Sequence, residues 1–213
     1  KYGRGAVWIG ARTAGNPFLV QEIADALKGT GLPVFVKNPL VPDPELWLGA
    51  VERLSGCGCG LVCAVHRGFH SYGESIYRNS PFWQIPVELH RRMPEIPVLC
   101  DPSHIGGRRD LVRSLSQQAM ALGFDGLMIE VHPDPDKALS DAAQQITPAE
   151  LAQVLSSLKM RGNSAPGAEA AAALDSLRSD IDRIDTSLID LLAERMKISE
   201  AIGEVKEKSG LTV

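Results

Sequence analysis

Short apolar segments alternate with helical patterns over the first 160 residues, and this alternation limits the folds that the chain can adopt. Each segment is four to six residues long and is bounded by Gly, Pro or polar residues, as strands buried in a parallel sheet are. We predict strands at 6–10, 33–36, 60–65, 97–100 and 126–130.

Helical patterns follow these segments, and we predict helices at 18–28, 45–54, 84–92, 109–122 and 148–159. Repeated strand–helix alternation is typical of an α/β fold with a parallel sheet. The composition then changes at RGNSAPG (161–167), which has the turn and breaker residues of a linker. After it, Ala168–Lys208 contains no Pro and only one Gly, which predicts one helix roughly 60 Å long.

Every predicted strand is followed by a residue that can carry charge or bind a metal ion. The steps between such residues are 25 (Arg12 to Lys37), 30 (to Arg67), 37 (to His104) and 26 (to Glu130). Each step is about one βα unit, the rhythm of a (β/α)8 barrel, in which active sites lie at the carboxyl ends of the strands. We therefore predict a functional site at this end of the sheet.

The predicted site residues divide by charge into two sets. Arg12 and Arg67 suit phosphate or carboxylate oxygens, and Lys37 adds a point charge. Three cations at the same end of the sheet repel one another unless an anion lies between them. Taken singly, each arginine is more simply a salt-bridged rim residue.

The second set contains one nitrogen and two carboxylate ligands for a divalent ion, namely His104, Glu130 and Asp141. Taken singly, His104 is more simply a hydrogen-bonded loop residue, and Asp141 a solvent-facing residue near a helix start. The convergence of all these positions on one face favours the functional interpretation.

Several of these residues lie in motifs that resemble a known enzyme family. The motifs are GART (10–13), VKNP (36–39), HRGF (66–69), DPSHIGGRRDLV (101–112) and GLMIEVHPDPDKALSDAAQQITP (126–148). They resemble type I, β-subclass 3-deoxy-arabino-heptulosonate 7-phosphate (DAHP) synthase. That enzyme opens the shikimate pathway by condensing phosphoenolpyruvate with erythrose 4-phosphate on a metal-dependent (β/α)8 barrel.

The resemblance implies roles for individual residues. Arg12 and Arg67 would hold the phosphate of phosphoenolpyruvate with help from the backbone of Ala11, and Lys37 would hold its carboxylate. His104, Glu130 and Asp141 would bind a divalent metal ion, either Mn²⁺, which we expect first, or another divalent ion. Lys37 and His104 would be the catalytic residues.

A full barrel has eight strands and about 250 residues, whereas this sequence predicts five strands. The resemblance therefore implies a partial barrel formed by the last five βα units, with the chain truncated at both ends. The family's cysteine ligand and its Lys-Pro-Arg-Thr motif would lie in the missing strands. The four cysteines present lack a zinc-site spacing, and we expect them to be free thiols in a reducing cytoplasm.

The predicted long helix carries apolar residues at alternating steps of three and four, as in a coiled coil. Arg195 takes one of these positions, either to fix the helix register or to bind an anion. Lys206 lies 11 residues further on, and thus on the same face, whereas Arg178 is rotated by about 100°. The apolar positions are Leu174, Leu177, Ile181, Ile184, Leu188, Leu191, Ile198, Ile202 and Val205.

The segment LRSDIDRIDTSLIDLLAERMKISEAIGEVK (177–206) resembles the first helix of the all-helical class of chorismate mutase. The resemblance implies that Arg178, Arg195 and Lys206 bind chorismate, which rearranges to prephenate. It also implies a homodimer formed through these helices. We thus predict part of the synthase barrel at 1–160, a linker at 161–168 and an incomplete mutase domain at 169–213.

Two other functions compete with a bifunctional synthase–mutase. One is a 3-deoxy-manno-octulosonate 8-phosphate synthase-like enzyme, which shares the EVHPDP…SD stretch. The other is a non-catalytic fragment whose helix serves dimerisation or regulation. A net charge of −4 and the lack of a long apolar run argue against nucleic-acid and membrane partners, so we expect a cytoplasmic enzyme of small molecules.

Overall fold

The computed structural model describes residues 5–73, 75–160 and 168–210. The chain divides into two compact units, Lys1–Arg161 and Gly162–Val213. The first unit is built on five strands that pair in parallel and in chain order, which confirms the predicted α/β class. These strands are β1 (Val7–Ile9), β2 (Val34–Lys37), β3 (Val62–His66), β4 (Val98–Cys100) and β5 (Gly126–Leu127).

Helices connect the strands and cover one face of the sheet. The first unit contains seven α-helices among the described residues: α1 (Ala11–Ala14), α2 (Pro17–Leu27), α3 (Pro44–Gly56), α4 (Gln84–Arg92), α5 (Pro102–Gly106), α6 (Val112–Ala121) and α7 (Pro148–Ser157). Short 3₁₀ turns lie at Arg109–Leu111, Pro135–Lys137 and Ala142–Gln144. The short helices α1 and α5, which follow β1 and β4 directly, were not predicted.

A repeated capping device begins four of the helices. Asn16, Asp43, Asp101 and Thr147 each precede a proline, and each accepts backbone N–H bonds from the first helical turn. Proline suits the first helical position because its missing N–H has no acceptor there, and the polar cap binds one of the remaining donors. Local sequence thus determines where these helices start.

Alternate strand residues face opposite sides of the sheet. One side packs on the helices and forms the hydrophobic core, to which β2 contributes Val34 and Val36. The other side carries Trp8 and Phe35, whose ring centroids are 6.0 Å apart. Lys37 lies on this second side too, with Nζ 5.0 Å from the centroid of the Trp8 ring.

Most predicted boundaries shift by one to three residues in the structure, and local contacts explain two of these shifts. The strand at 126–130 ends at Leu127, because its pairing partner β4 ends at Cys100 and the segment after it forms α5. The N–H of Glu130 therefore donates to Ser103 Oγ (3.0 Å) and not to a strand. The helix at 109–122 begins as a 3₁₀ turn. The helix at 148–159 ends at Ser157, because the Gln117 amide binds both the N–H and the C=O of Lys159.

The second unit consists of helix α8 (Ala168–Lys208), whose bounds match the prediction. Residues 161–167 of the predicted linker lie outside the described residues. In the part of the chain that is described, none of the helices has both the length and the apolar character that a bilayer span requires.

Candidate active site at the carboxyl end of the sheet

The carboxyl ends of β2, β3 and β4 bring the predicted residues to one edge of the sheet. Lys37 is the last residue of β2, and Arg67 follows the last residue of β3. His104 lies on α5, the single turn that begins directly after β4. Parallel pairing aligns the ends of neighbouring strands, so residues that lie 30 to 67 positions apart become neighbours.

Asp101 connects two of these residues and is almost fully buried, at 1% exposure. Its Oδ2 accepts a hydrogen bond from Lys37 Nζ (2.8 Å), and its Oδ1 caps α5 by accepting from the His104 N–H (3.0 Å). Burial by itself raises the pKa of Asp101, but the contacts with His104 and Lys37 outweigh burial and lower it. The carboxylate is therefore ionised and balances the charge of Lys37.

Asp101 was not among the residues predicted to form the site. A signal was present, because Asp101 directly follows a predicted strand and precedes a proline, where an aspartate is commonly read as a helix cap. Its second role as the partner of Lys37 depends on how β2 and β4 are arranged, which the sequence does not reveal.

The three predicted metal ligands lie together. His104, Glu130 and Asp141 each present one ligand atom, and these atoms lie within 4.8 Å of one another. His104 Nδ1 is 2.8 Å from Asp101 Oδ2 and 3.6 Å from Glu130 Oε1. This Nδ1 is buried, and among the described residues it makes an ion-pair contact with Asp101 but no hydrogen bond.

This donor set fits a divalent metal ion. One imidazole nitrogen and two carboxylates are ligands that Mn²⁺ and similar ions accept.

The cations lie beside this cluster. Arg67 is buried at 8% exposure, and its Nη1 donates to Asn79 Oδ1 (2.8 Å). Burial lowers the pKa of Arg67 most. The neighbouring cations Arg78 and Arg12 also lower it, whereas the carboxylates of Asp101 and Asp141 partly offset this by raising it. Neighbouring positive charges of this kind are relieved by a bound anion.

Arg12 and Ala11 lie on α1, directly after β1. Arg12 is exposed, and no hydrogen bond to its side chain occurs within the described residues. Ala11 is the first residue of the helix, where backbone N–H groups have no acceptor inside the helix. Both groups are thus available to a ligand at the edge of the sheet.

Arg78 and Gln144 are site residues that the sequence analysis missed. Arg78 Nη1 donates to Asp141 Oδ1 and to Gln144 Oε1, both at 2.7 Å, and Gln144 Nε2 donates to Glu130 Oε2 (2.9 Å). Arg78 also lowers the pKa of Asp141 through this bond. Arg78 lies in a loop and Gln144 ends the 3₁₀ turn that begins at Ala142, so no strand or helix periodicity indicated that they would meet.

His66 ends β3 but does not belong to the site. It is fully buried on the helix side of the sheet, where its ring lies 5.4 to 6.1 Å from four aromatic rings. Burial lowers its pKa to about 3. The imidazole is therefore neutral and serves as part of the core.

Replacing Asp101 by Asn is expected to lower the free energy of unfolding at pH 7 by about 3 kcal/mol or more, because the buried Lys37 loses its counter-charge. The folded-state pKa of Asp101 is lowered, so its stabilising effect is fully present above about pH 4 and is lost as the pH falls through that pKa. Urea unfolding between pH 7 and pH 3 measures both effects.

Asp110→Asn is the matched control, because Asp110 pairs with Arg108 in an exposed ion pair. Its unfolding midpoint should stay close to that of the unmodified protein at pH 7. Equal midpoints for Asp101→Asn and the control would contradict a stabilising role for the buried pair.

The residues of α8 that were predicted to bind chorismate lie on the second unit. Arg178 Nη1 donates to Asp175 Oδ1 (2.9 Å), and the side chain of Arg195 is exposed. The nine apolar side chains at the three- and four-residue steps are 44% to 63% exposed. Within the described residues, this face of α8 is therefore left largely uncovered.

Comparison with family models gives two matches. A model described as the DAHP synthetase I family matches residues 6–164, and one described as chorismate mutase type II matches residues 177–213. A phospho-2-dehydro-3-deoxyheptonate aldolase of Thermotoga maritima is 35% identical over 140 residues, which is 66% of this chain and 40% of that protein. A 2-dehydro-3-deoxyphosphooctonate aldolase of Glaesserella parasuis is 29% identical over 178 residues, covering 78% of this chain and 57% of that protein.

Comparison with solved structures also finds DAHP synthases. A crystal structure of DAHP synthase from Thermotoga maritima superimposes with a TM-score of 0.61 at 32% identity, covering 71% of this chain and 43% of that one. A truncated form of the synthase gives 0.60 at 30% identity, with coverage of 81% and 59%. The chain thus spans about two fifths to three fifths of the proteins it matches. Because the first family model covers most of its residues, the chain belongs to the DAHP synthetase I family.

Proposed function

We propose that this chain provides the phosphoenolpyruvate- and metal-binding side of a DAHP synthase, in a protein that also carries a chorismate mutase. The observation that supports the proposal is the meeting, at one edge of the sheet, of the cations around Arg67 with the cluster of His104, Glu130 and Asp141. We further propose a synthase part at 1–160, a linker at 161–168 and a mutase part at 169–213.

The cations would hold phosphoenolpyruvate by its two anionic ends. Arg12 and Arg67 would bind the phosphate together with the N–H of Ala11, since arginine forks match phosphate oxygens. Lys37 would bind the carboxylate, because its ammonium group has three donors and gives one of them to Asp101. Lys37 thus carries a positive charge into a buried site, where Asp101 keeps it in position.

His104, Glu130 and Asp141 would hold the divalent ion, and Mn²⁺ is our first choice. When bound, the ion supplies Lewis-acid polarisation of the aldehyde carbonyl of erythrose 4-phosphate.

In the proposed condensation, C3 of phosphoenolpyruvate attacks the aldehyde carbon, and the C=O π electrons move to the aldehyde oxygen, which becomes a hydroxyl by taking up a proton. Positive charge develops at C2, and water adds there with loss of a proton. Phosphate then leaves. Arg12 and Arg67 would stabilise the leaving phosphate, and Lys37 would keep the enol end oriented towards the aldehyde.

An octulosonate synthase-like activity is the alternative, because relatives of that type match at 27% to 29% identity. Both reactions join the three carbons of phosphoenolpyruvate to an aldose phosphate. They differ in whether the aldose has four or five carbons. The match to the DAHP synthetase I model and the mutase segment favour the four-carbon substrate.

Arg12→Gln is expected to weaken phosphoenolpyruvate binding by about tenfold to hundredfold, since a charge-assisted hydrogen bond contributes about 1.5–3 kcal/mol. The fold should be unaffected because Arg12 is exposed. Fluorescence of Trp8, whose ring lies near Lys37, is a suitable readout for titration of the intact protein.

Arg53→Gln is the control for this titration. Arg53 is an exposed arginine on α3 whose Nη1 binds the C=O of Gly49 in the same helix (2.8 Å). Equal loss of affinity in both variants, or no loss in Arg12→Gln, would contradict the proposed phosphate site.

For α8 we propose the chorismate-binding role of Arg178, Arg195 and Lys206, and a homodimer in which a second copy covers the apolar face. The exposure of nine apolar side chains at coiled-coil spacing supports the pairing. The cations would bind the carboxylates and the breaking ether oxygen of chorismate, without a covalent intermediate.

A further inference from the structure

Both carboxylates of the metal-ligand cluster are connected to one residue, Arg78. Its Nη1 donates directly to Asp141 Oδ1 (2.7 Å). The same Nη1 donates to Gln144 Oε1 (2.7 Å), and Gln144 Nε2 donates in turn to Glu130 Oε2 (2.9 Å). Arg78 therefore reaches one carboxylate directly and the other through an amide.

The donor and acceptor in each of these hydrogen bonds follow from the functional groups of Arg78 and Gln144. An arginine only donates, so the amide oxygen of Gln144 must face Arg78, and its NH₂ group must then face Glu130. Gln144 is 1% exposed, so water does not compete for these positions. The orientation of Glu130 is consequently coupled to that of Arg78.

This network occupies one oxygen of each carboxylate and leaves the other for a ligand. Among the described residues, neither Glu130 Oε1 nor Asp141 Oδ2 accepts a hydrogen bond. Glu130 Oε1 is the oxygen that lies 3.6 Å from His104 Nδ1. The remaining oxygens are thus the ones available to an ion.

Arg78 is held in position by close contacts with Gly106 and Gly107. Gly107 has a left-handed φ of 65°, and a Cβ at this position would lie 2.5 Å from Arg78 Cβ. The N–H of Arg78 donates to the C=O of Gly106 (3.3 Å). Arg78 therefore packs against the end of α5, the helix that also carries His104.

We propose that Arg78 is a positioning residue that orients both carboxylates of the metal site, Asp141 directly and Glu130 through Gln144. The inference rests on the proposed metal role of His104, Glu130 and Asp141. The Arg78–Asp141 pair is half-exposed, so its effect on folding is small. Its effect on metal binding is larger, since partners that orient metal ligands typically change affinity by 10–100-fold.

The test is a Mn²⁺ titration of the intact protein, with free Mn²⁺ measured by electron paramagnetic resonance. Arg78→Gln and Gln144→Met are each expected to weaken binding by about 10–100-fold, with unchanged circular dichroism. Arg109→Gln is the matched control, because Arg109 anchors the same loop through Asp136 and the C=O of Ala142 without touching the cluster. It should change the affinity by less than about threefold.

Three results would overturn this inference but not the proposed metal site. In the first, the unmodified protein binds Mn²⁺, His104→Ala loses it and Arg78→Gln keeps it. In the second, Arg78→Gln and Arg109→Gln lose the same affinity. A loss of phosphoenolpyruvate affinity in Arg78→Gln with unchanged Mn²⁺ affinity would also overturn it, because Arg78 would then be a substrate ligand. If the unmodified protein binds no Mn²⁺, the proposed metal site fails, and this inference fails with it.

Discussion

His104→Ala is expected to reduce the metal-dependent consumption of phosphoenolpyruvate by about 1,000-fold or more. His104 provides the only nitrogen of the described three-residue cluster, and its buried Nδ1 has no hydrogen-bond partner among the described residues. Polarisation of a carbonyl by a metal ion contributes several kcal/mol to catalysis, and each 1.4 kcal/mol corresponds to a factor of ten. Steady-state rates with saturating substrates and Mn²⁺ measure the effect.

His90→Ala is the control for this variant. His90 lies on α4 and is half-exposed, with Nδ1 4.0 Å from Asp125 Oδ2. Its removal should leave the rate unchanged. If His104→Ala keeps its activity, the metal site is assigned to the wrong residues. If a chelator has no effect on the unmodified protein, the reaction does not depend on a metal ion.

Arg195→Ala is expected to lower mutase activity by at least about 100-fold while the protein stays folded. The rearrangement needs cations to hold the chorismate dianion and to stabilise the breaking ether oxygen, and removing one such donor typically costs 10²–10³-fold. Arg195 occupies a position that the spacing otherwise gives to apolar residues, and it is exposed on α8. Chorismate consumption by the intact protein, compared with its synthase rate, separates a local effect from a general one.

Arg183→Ala is the matched control on the same helix, since Arg183 is an exposed arginine paired with Asp180 at 3.5 Å. Its mutase rate should equal that of the unmodified protein. Normal mutase turnover in Arg195→Ala would instead favour the other interpretation, in which Arg195 only fixes the helix register.

The fold class was predictable because apolar periodicity reports burial directly. The runs around Val34–Lys37 and Val62–His66 are apolar on both faces, as buried parallel strands require. Ala168–Lys208 was predicted to the residue, because nothing inside it breaks a helix. The strand at 126–130 was predicted too long, because a strand extends only as far as the strand it pairs with. Its partner β4 ends before Pro102, where α5 begins.

The placement of the candidate site residues was predictable where they follow the strand ends, and not where loops contribute them. Lys37, Arg67 and His104 each follow or end a strand, so their convergence could be expected. Arg78 meets Asp141 and Gln144 across 63 and 66 residues, and no local pattern records such a contact. The partners that orient a site are therefore visible only once the loops are folded.

The most direct test of the account is the consumption of phosphoenolpyruvate by the intact protein, with erythrose 4-phosphate and Mn²⁺ present together and each omitted in turn. We expect consumption and phosphate release only when both are present, and a slower rate with a five-carbon aldose phosphate. The proposed synthase function would be contradicted by any of three results. These are consumption that does not require the metal, a preference for the five-carbon aldose phosphate, and no consumption at all.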